Sequence, residues 1–304
     1  MLLNRIKFTN QVPKDLLAER SVVIYPATMS EKELTEIQRY FQQTGIDAVN
    51  YIDITYLLAG FDISKRYSIY FNSRKIKYLI LVQKTERNFQ FNILEYNNTA
   101  EFSDPSKEAW KVSGITLAET LQVTYRACIA SQRKQNLLIN DLPEKIQSLS
   151  YFNGKQIEGF SSYARSFKIA IPKCNCSLDQ ELDTLLKEFS PLTYELVESG
   201  TTDTQLDQAG FRCVLRFVHS RGAVVKELLG YDISQLAKSI PSVSYLQGQS
   251  QIKTILSNAL VYKFYIKNID YGDIYLGNKY DADIEFRDAL RNYLLAMKYD
   301  FRMN

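Results

Sequence analysis

Residues 21–26, with the sequence SVVIYP, and residues 167–172, with the sequence FKIAIP, decide the fold of this chain. Each is a short apolar run that ends at a proline, which is typical of a buried strand. A polar loop follows in both places and leads to a helical pattern, opened by Ser30 in the first copy and by Ser177 in the second. The copies lie about 147 residues apart, a spacing typical of domains rather than of solenoid repeats. The sequence therefore predicts two similar units.

The patterns around these copies predict an α/β protein of mixed α+β type. Ser30 followed by Glu33 has the spacing of a helix capping box. The first unit continues with β-rich runs, among them residues 67–71, which we interpret as a strand. Each unit then ends in a hairpin and a long amphipathic helix. Strand–helix segments followed by antiparallel segments predict a mixed sheet in each unit.

The domain organisation follows from the repeat and from local composition. We expect a first α/β unit at residues 1–147 and a second at residues 166–304. Residues 148–165 are rich in serine, glycine and asparagine, which indicates a connector.

Composition and charge exclude several classes of protein. The chain has 304 residues, of which 45% are hydrophobic and 23% charged, which is typical of globular proteins and argues against disorder. The net charge of +3 is too small to indicate a nucleic-acid partner or an anionic membrane. The N-terminal residues show no signal-peptide pattern and no run reaches the roughly 20 apolar residues of a membrane span. We therefore expect a cytoplasmic protein with no membrane partner.

The four cysteines do not have the spacing of a metal site. They are Cys128, Cys174, Cys176 and Cys213, and no CxxC pair occurs. We expect reduced thiols of a structural kind, since a buried cysteine behaves as a small hydrophobic residue.

The single histidine suggests a site for a small anion. His219 and Arg221 follow a predicted strand at residues 213–218, and a helical pattern begins near Gly222. Strand ends in α/β proteins carry binding groups, and a helix N-terminus favours an anion. The alternative is a histidine that makes ordinary hydrogen bonds at the end of a strand.

An acidic cluster near the C-terminus raises the alternative of a metal site. Carboxylates at such density can bind Mg²⁺ or Ca²⁺. Their spacing does not fit a calcium-binding loop, however, and aspartates at turns and helix starts have structural roles. We therefore favour the structural interpretation of the four candidate ligands, which are Asp270, Asp273, Asp281 and Asp283.

No nucleotide-binding motif occurs in the chain, and we predict no cofactor. The aromatic residues Tyr262, Phe264 and Tyr265, next to Lys263 and Lys267, could form a surface on which bases stack. A strand that contributes to a core, with a solvated opposite face, is the interpretation that we favour.

These patterns predict a non-catalytic binding or assembly protein, because no recognisable catalytic set occurs. It would use a cleft between the units or an aromatic surface, with a partner protein or a second copy of the chain as its ligand. The alternative is an enzyme for metal-assisted phosphoryl transfer or phosphodiester cleavage that uses the C-terminal carboxylates with His219 or Lys279.

Overall fold

A computed structural model describes residues 3, 6–131, 149–173, 179–231, 239–246 and 249–302. The chain divides into two compact units. Unit 1 comprises Met1–Leu57 and Ile63–Leu149, and unit 2 comprises Leu58–Asp62 and Ser150–Asn304. Two six-stranded sheets with both parallel and antiparallel pairs, together with helices, confirm the predicted mixed α/β class.

The first sheet is built from six strands in the order β1-β6-β5-β4-β2-β3. Strand β2 runs parallel to β3 and β4, β1 runs parallel to β6, and the pairs β4–β5 and β5–β6 are antiparallel. The elements in chain order are β1 (Lys7–Thr9), β2 (Arg20–Tyr25), α1 (Glu31–Thr44), β3 (Asp47–Asp53), α2 (Ile54–Leu57), α3 (Phe61–Ser73), β4 (Ile76–Lys84), β5 (Phe89–Glu95), β6 (Glu108–Gly114) and α4 (Leu117–Ser131).

Helix α1 begins at the capping box that its sequence predicts. The Glu33 backbone N–H donates to the Ser30 hydroxyl at 3.3 Å, and the Ser30 N–H donates to the Glu33 carboxylate at 2.8 Å. Gly45 ends the helix with φ +92°, a left-handed conformation that glycine adopts without steric cost. The buried face of α1 places Phe41 edge-on against Phe91 of β5, at 5.5 Å between ring centroids.

The prediction of a strand at residues 67–71 was wrong, because these residues lie in α3. Tyr67 and Phe71 are four positions apart and therefore share one helical face, and both are buried. The ring of Phe71 packs against Tyr96 and Phe102, with centroids 5.6 and 5.8 Å away. A short aromatic run has no period that separates strand from helix, so these distant packing partners determine the outcome.

The second sheet has the order β7-β14-β13-β10-β8-β9. Strand β8 runs parallel to β9 and β10, β7 runs parallel to β14, and β13 is antiparallel to β10 and β14. Strands β11 and β12 form a separate two-stranded ribbon. The elements are β7 (Gln156–Ile157), a 3-10 helix (Tyr163–Ser166), β8 (Ile169–Pro172), α5 (Asp179–Phe189), β9 (Tyr194–Val197), α6 (Asp203–Gln208), β10 (Cys213–Arg221), α7 (Gly222–Leu228), β11 (Ser239–Leu246), β12 (Gln249–Leu256), β13 (Leu260–Asn268), β14 (Ile274–Tyr275) and α8 (Phe286–Arg302).

The two sheets share one sequence of pairings. From the edge formed by β1 or β7, neighbouring strands are parallel, antiparallel, antiparallel, parallel and parallel. The apolar run that ends at a proline forms a strand before a helix in both units, β2 before α1 and β8 before α5. The order of pairings is therefore the same in both sheets, while the similarity of the two units as whole bodies stays a prediction.

The stretch predicted as a connector, residues 148–165, adds structure to unit 2 from Ser150 onward. Strand β7 pairs with β14 at the sheet edge, and the Gly154 N–H donates to the Gly272 carbonyl at 3.2 Å. A two-residue strand has no periodicity in sequence, so only its pairing reveals it. Among the described residues, no helix has the length and apolar content that crossing a bilayer requires.

Candidate functional site

Two neighbouring strands of unit 2 place an imidazole flat against a phenol ring. His219 of β10 and Tyr262 of β13 are direct cross-strand partners, and their rings stack at 3.8 Å with an interplanar angle of 2°. The His219 backbone N–H donates to the Ala59 carbonyl at 2.7 Å. Because β10 extends through Arg221, both residues lie within the strand rather than beyond it.

A groove of about 600 Å³ opens beside this ring pair. The Tyr262 N–H donates to the Asp283 carbonyl at 2.7 Å, and this contact brings the chain just before α8 next to the start of β13. Helix α5 contributes Glu181 to the lining of the groove. The lining residues come from four elements and their connections: Glu181, His219, Leu260, Tyr262, Ile284, Glu285, Phe286, Arg287 and Asp288.

The floor of the groove is aromatic and its rim is partly apolar. The Tyr262 ring contacts Phe217 and Phe286 edge-on, at 5.7 and 5.5 Å between centroids, so its orientation is held by packing. At the rim, Leu260 is 50% exposed and Ile284 42% exposed. The groove therefore offers both a flat ring surface and aliphatic contact area to a ligand.

Negative charge predominates around the groove. Glu181, Glu285 and Asp288 line it, against Arg287 as the one cationic lining residue, and Asp288 is paired with Arg291 at 3.0 Å. Burial lowers the pKa of His219, so its imidazole is neutral at pH 7. An excess of carboxylates around a recess attracts a cation and repels an anion.

The anion site predicted at His219 and Arg221 stays a prediction, and the structure shows two features against it. Residues two apart on a strand lie on the same face, as the prediction needs. However, the Gly222 and Ala223 N–H groups at the start of α7 already donate to the Ala259 and Ser257 carbonyls, at 3.0 and 2.9 Å. The imidazole is also neutral at pH 7, which removes its charge from anion binding.

The four carboxylates of the alternative metal site each have a separate partner within unit 2. Among the described residues, no group of three or more histidines, cysteines, aspartates and glutamates is arranged to hold a metal ion. The structure therefore does not bring the four together. The partners are Arg212 for Asp270 at 2.8 Å, the Lys155 N–H for Asp273 at 2.7 Å, Lys263 for Asp281 at 2.5 Å and Lys253 for Asp283 at 2.7 Å.

Strand β13 is core, as favoured from the sequence, but its lysines are not solvated. Phe264 and Tyr265 are buried, which confirms the core interpretation and leaves Tyr262 as the ring that reaches a groove. Lys263 is only 1% exposed and pairs with buried Asp281. Burial lowers the pKa of Lys263 and raises that of Asp281 to about 6.

Unit 2 contains a second polar cluster, which the sequence did not predict. Asp62 accepts hydrogen bonds from the Tyr265 hydroxyl at 2.7 Å and from Lys267 at 2.5 Å. Lys267 also binds Asp203 at 2.8 Å, and Arg216 lies 3.3 Å from the same carboxylate. No local signal could have shown this cluster, because Asp62 and Lys267 are 205 residues apart in sequence.

The charges of this cluster compensate one another. Burial alone would lower the pKa of Lys267, but Asp62 and Asp203 outweigh it and raise the pKa. The Arg216 guanidinium lies 4.1 Å from the centre of the Phe61 ring, a cation–π contact. Two cations paired with two carboxylates in a largely buried position indicate a structural network rather than a site for a ligand.

Two of the cysteines lie in the described residues and both are buried. Burial raises the pKa of the Cys128 thiol to about 12 and that of Cys213 to about 11, so both are protonated at pH 7. Such thiols are poor nucleophiles, because the thiolate is the reactive form. Cys174 and Cys176 lie outside the described residues.

No protein-family model matches the chain, and no curated protein matches it in sequence.

Proposed function

We propose that the chain is a non-catalytic binding protein, and that the groove of unit 2 holds a positively charged segment of a partner protein. The observation that carries this proposal is the excess of carboxylates around an aromatic floor. The volume of about 600 Å³ falls in the range of ligand-binding pockets. The metal-dependent alternative receives no support, because each of its carboxylates has its own protein partner.

An arginine or lysine side chain matches both parts of the groove. Its alkyl stem would lie on Leu260 and Ile284, which are exposed at the rim. Its charged head would reach the carboxylates of Glu181 and Glu285, and a guanidinium would gain charge-assisted hydrogen bonds there. The neutral His219 ring would not repel it at pH 7.

Fluorescence anisotropy with two labelled peptides tests the proposal. The full chain is titrated with an acetylated Arg-Leu-Arg-Leu peptide and with its Glu-Leu-Glu-Leu counterpart. We expect only the arginine peptide to bind, and to bind more weakly as salt is added, since salt screens exposed charges.

A charge-removing variant then localises the binding. The double variant Glu181→Gln/Glu285→Gln should weaken binding by about tenfold or more, equivalent to at least 1.4 kcal/mol. Glu101→Gln, which removes an exposed carboxylate of unit 1, serves as the matched control and should bind as the wild type does. Equal binding of both peptides, or an unaffected double variant, would contradict the proposal.

A further inference from the structure

Side chains on one face attach the ribbon of β11 and β12 to the rest of unit 2. Ile240 of β11 and Ile255 of β12 are buried, at 5% and 2% exposure. Asp283 accepts hydrogen bonds from Lys253 at 2.7 Å and from the Ser242 hydroxyl at 3.2 Å. The outer side of the ribbon therefore has a defined orientation.

The backbone of β12 presents hydrogen-bonding groups on its outer edge. The Val243 N–H of β11 donates to the Tyr280 carbonyl at 2.6 Å, so it points away from β12. Opposite residues of an antiparallel pair exchange both hydrogen bonds or neither, so Ile252, the partner of Val243, also points its N–H and carbonyl outward. Thr254 does the same, which agrees with its partner Pro241 having no N–H to donate.

This edge lacks the features that normally protect an edge strand. Among the described residues, β12 pairs with β11 alone, and residues 250–254 are exposed. Natural edges are protected by charges, prolines or bulges. Residues 249–256 contain no proline and no glycine, and their single charge, on Lys253, is bound to Asp283.

We propose that a second copy of the chain binds this edge, with the two β12 strands antiparallel about a two-fold axis at Thr254. The outward N–H and carbonyl groups of Ile252 and Thr254 and the outward Leu256 N–H would then continue the ladder across the interface, while the Leu256 carbonyl already accepts the Ala259 N–H at 3.0 Å. In this register, Ile252 of each copy lies opposite Leu256 of the other. In a single copy, Ile252 is 77% exposed and Leu256 63% exposed. In the dimer, each of these side chains would be covered by its cross-strand partner from the other copy.

Charge and symmetry favour a second copy as the occupant. The register places Lys253 opposite Ile255, so no like charges face each other, and Asp283 already neutralises the lysine. The same patch serves both copies, so the contact closes as a dimer and does not extend into a fibre.

Sedimentation velocity of the full chain over a concentration series tests the dimer. We expect a monomer–dimer equilibrium in the wild type. Ile252→Lys should raise the dimer dissociation constant by about tenfold or more, because it replaces an apolar cross-strand contact by a charge. Ile115→Lys is the matched control, since Ile115 of unit 1 is 75% exposed, and it should leave the equilibrium unchanged.

Thr254→Pro supplies a second, independent variant. Proline removes the outward N–H at the axis but no hydrogen bond to β11, so the fold should persist while dimerisation is lost. Circular dichroism checks the fold. A wild type that stays monomeric at every concentration would overturn the proposal and leave another protein's strand as the candidate occupant. A dimer that persists in both β12 variants, or that Ile115→Lys also abolishes, would overturn it as well.

Discussion

Asp281 and Lys263 form an ion pair in which both side chains are almost completely buried, at 3% and 1% exposure. Lys263 also donates to the carbonyls of Leu276 and Asn278, so the pair joins β13 to the chain that follows β14. Removing two charges from water is costly, and their attraction and these hydrogen bonds offset that cost. We therefore expect the pair to contribute more to the definite arrangement of the chain at Leu276–Asn278 than to net stability.

We expect Asp281→Ala to lower the free energy of unfolding by about 3–5 kcal/mol, because it leaves the Lys263 charge buried without its carboxylate. The double variant Lys263→Met/Asp281→Leu should recover most of that loss. Urea denaturation measures both. A single variant as stable as the wild type would show that the lysine is neutral or solvated. Stabilisation of the wild type by a divalent metal, lost in Asp281→Ala, would instead restore the metal interpretation.

The pH dependence of stability should carry a contribution from His219. Burial lowers its pKa in the folded state, so below its ordinary value of about 6.5 the unfolded chain binds a proton that the folded chain resists. Stability is therefore lost as pH falls from about 7 toward 5. His219→Gln removes this contribution, so the melting temperature of the variant should fall less over that range. The carboxylates act alike in both proteins, and parallel curves would contradict the prediction.

At the scale of single elements, a local signal predicted the start of α1, while the second predicted helix opening, at Ser177, lies outside the described residues. The Ser30 capping box is present as its spacing indicates, and a second one occurs at Thr202 and Gln205 at the start of α6. A capping box depends on residues within one turn, so distant packing does not alter it. The aromatic run in α3 is the opposite case, because residues far along the chain decided its conformation.

Replacing either capping residue should therefore have a similar and moderate effect. We expect Ser30→Ala and Thr202→Ala each to destabilise the protein by about 1 kcal/mol, because each leaves an N–H group of the first turn without its partner. Thr35→Ala, within α1, is the control and should be neutral or slightly stabilising, since alanine is the better helix former. Chemical denaturation measures all three. A cap variant no less stable than the Thr35 variant would show that solvent replaces the cap.

At the scale of the whole molecule, unit 2 is built from two parts of the chain that are far apart in sequence. Leu58–Asp62 belongs to it, although the rest of the unit starts at Ser150. Within it, the Ala59 carbonyl accepts the His219 N–H, and a Cβ on Gly60 would lie 2.6 Å from the Phe217 carbonyl oxygen. Only glycine allows so close an approach of two backbones.

Asp62 carries the charge of this segment, and its removal should weaken the core of unit 2. We expect Asp62→Ala to cost about 3–5 kcal/mol, because it leaves Lys267 and Arg216 with Asp203 as the one remaining carboxylate of the cluster. Amide hydrogen exchange of peptides from β10 and β13 should be faster in the variant. Glu86→Ala, which removes an exposed carboxylate of unit 1, is the control. Unchanged exchange in both strands would show that the cluster contributes little to stability.

Only part of the candidate site could be predicted from local sequence. The sequence pointed to His219 because of its place near a strand end, and the structure does place it at a groove. The neighbours that give the groove its character, Glu181, Tyr262 and Glu285, lie on three other parts of the chain. Their negative charge opposes the anion that the isolated sequence motif suggested. Cross-strand register and the start of α8 bring them together, and neither has a local signature.

The sequence by itself determined the α/β class, the capping box that starts α1 and the order of strand before helix in β2–α1 and β8–α5, because apolar periodicity and capping act within a few residues. Only the tertiary structure decided which charges are buried, which carboxylates pair with lysines and which rings line a groove. Those outcomes depend on residues up to 205 positions apart in sequence, such as Asp62 and Lys267. From the sequence alone, a lysine on a strand is predicted to be exposed to solvent. Whether it is buried beside a carboxylate depends on the fold, since the energy of a charge depends on its surroundings in space and not on its neighbours in sequence.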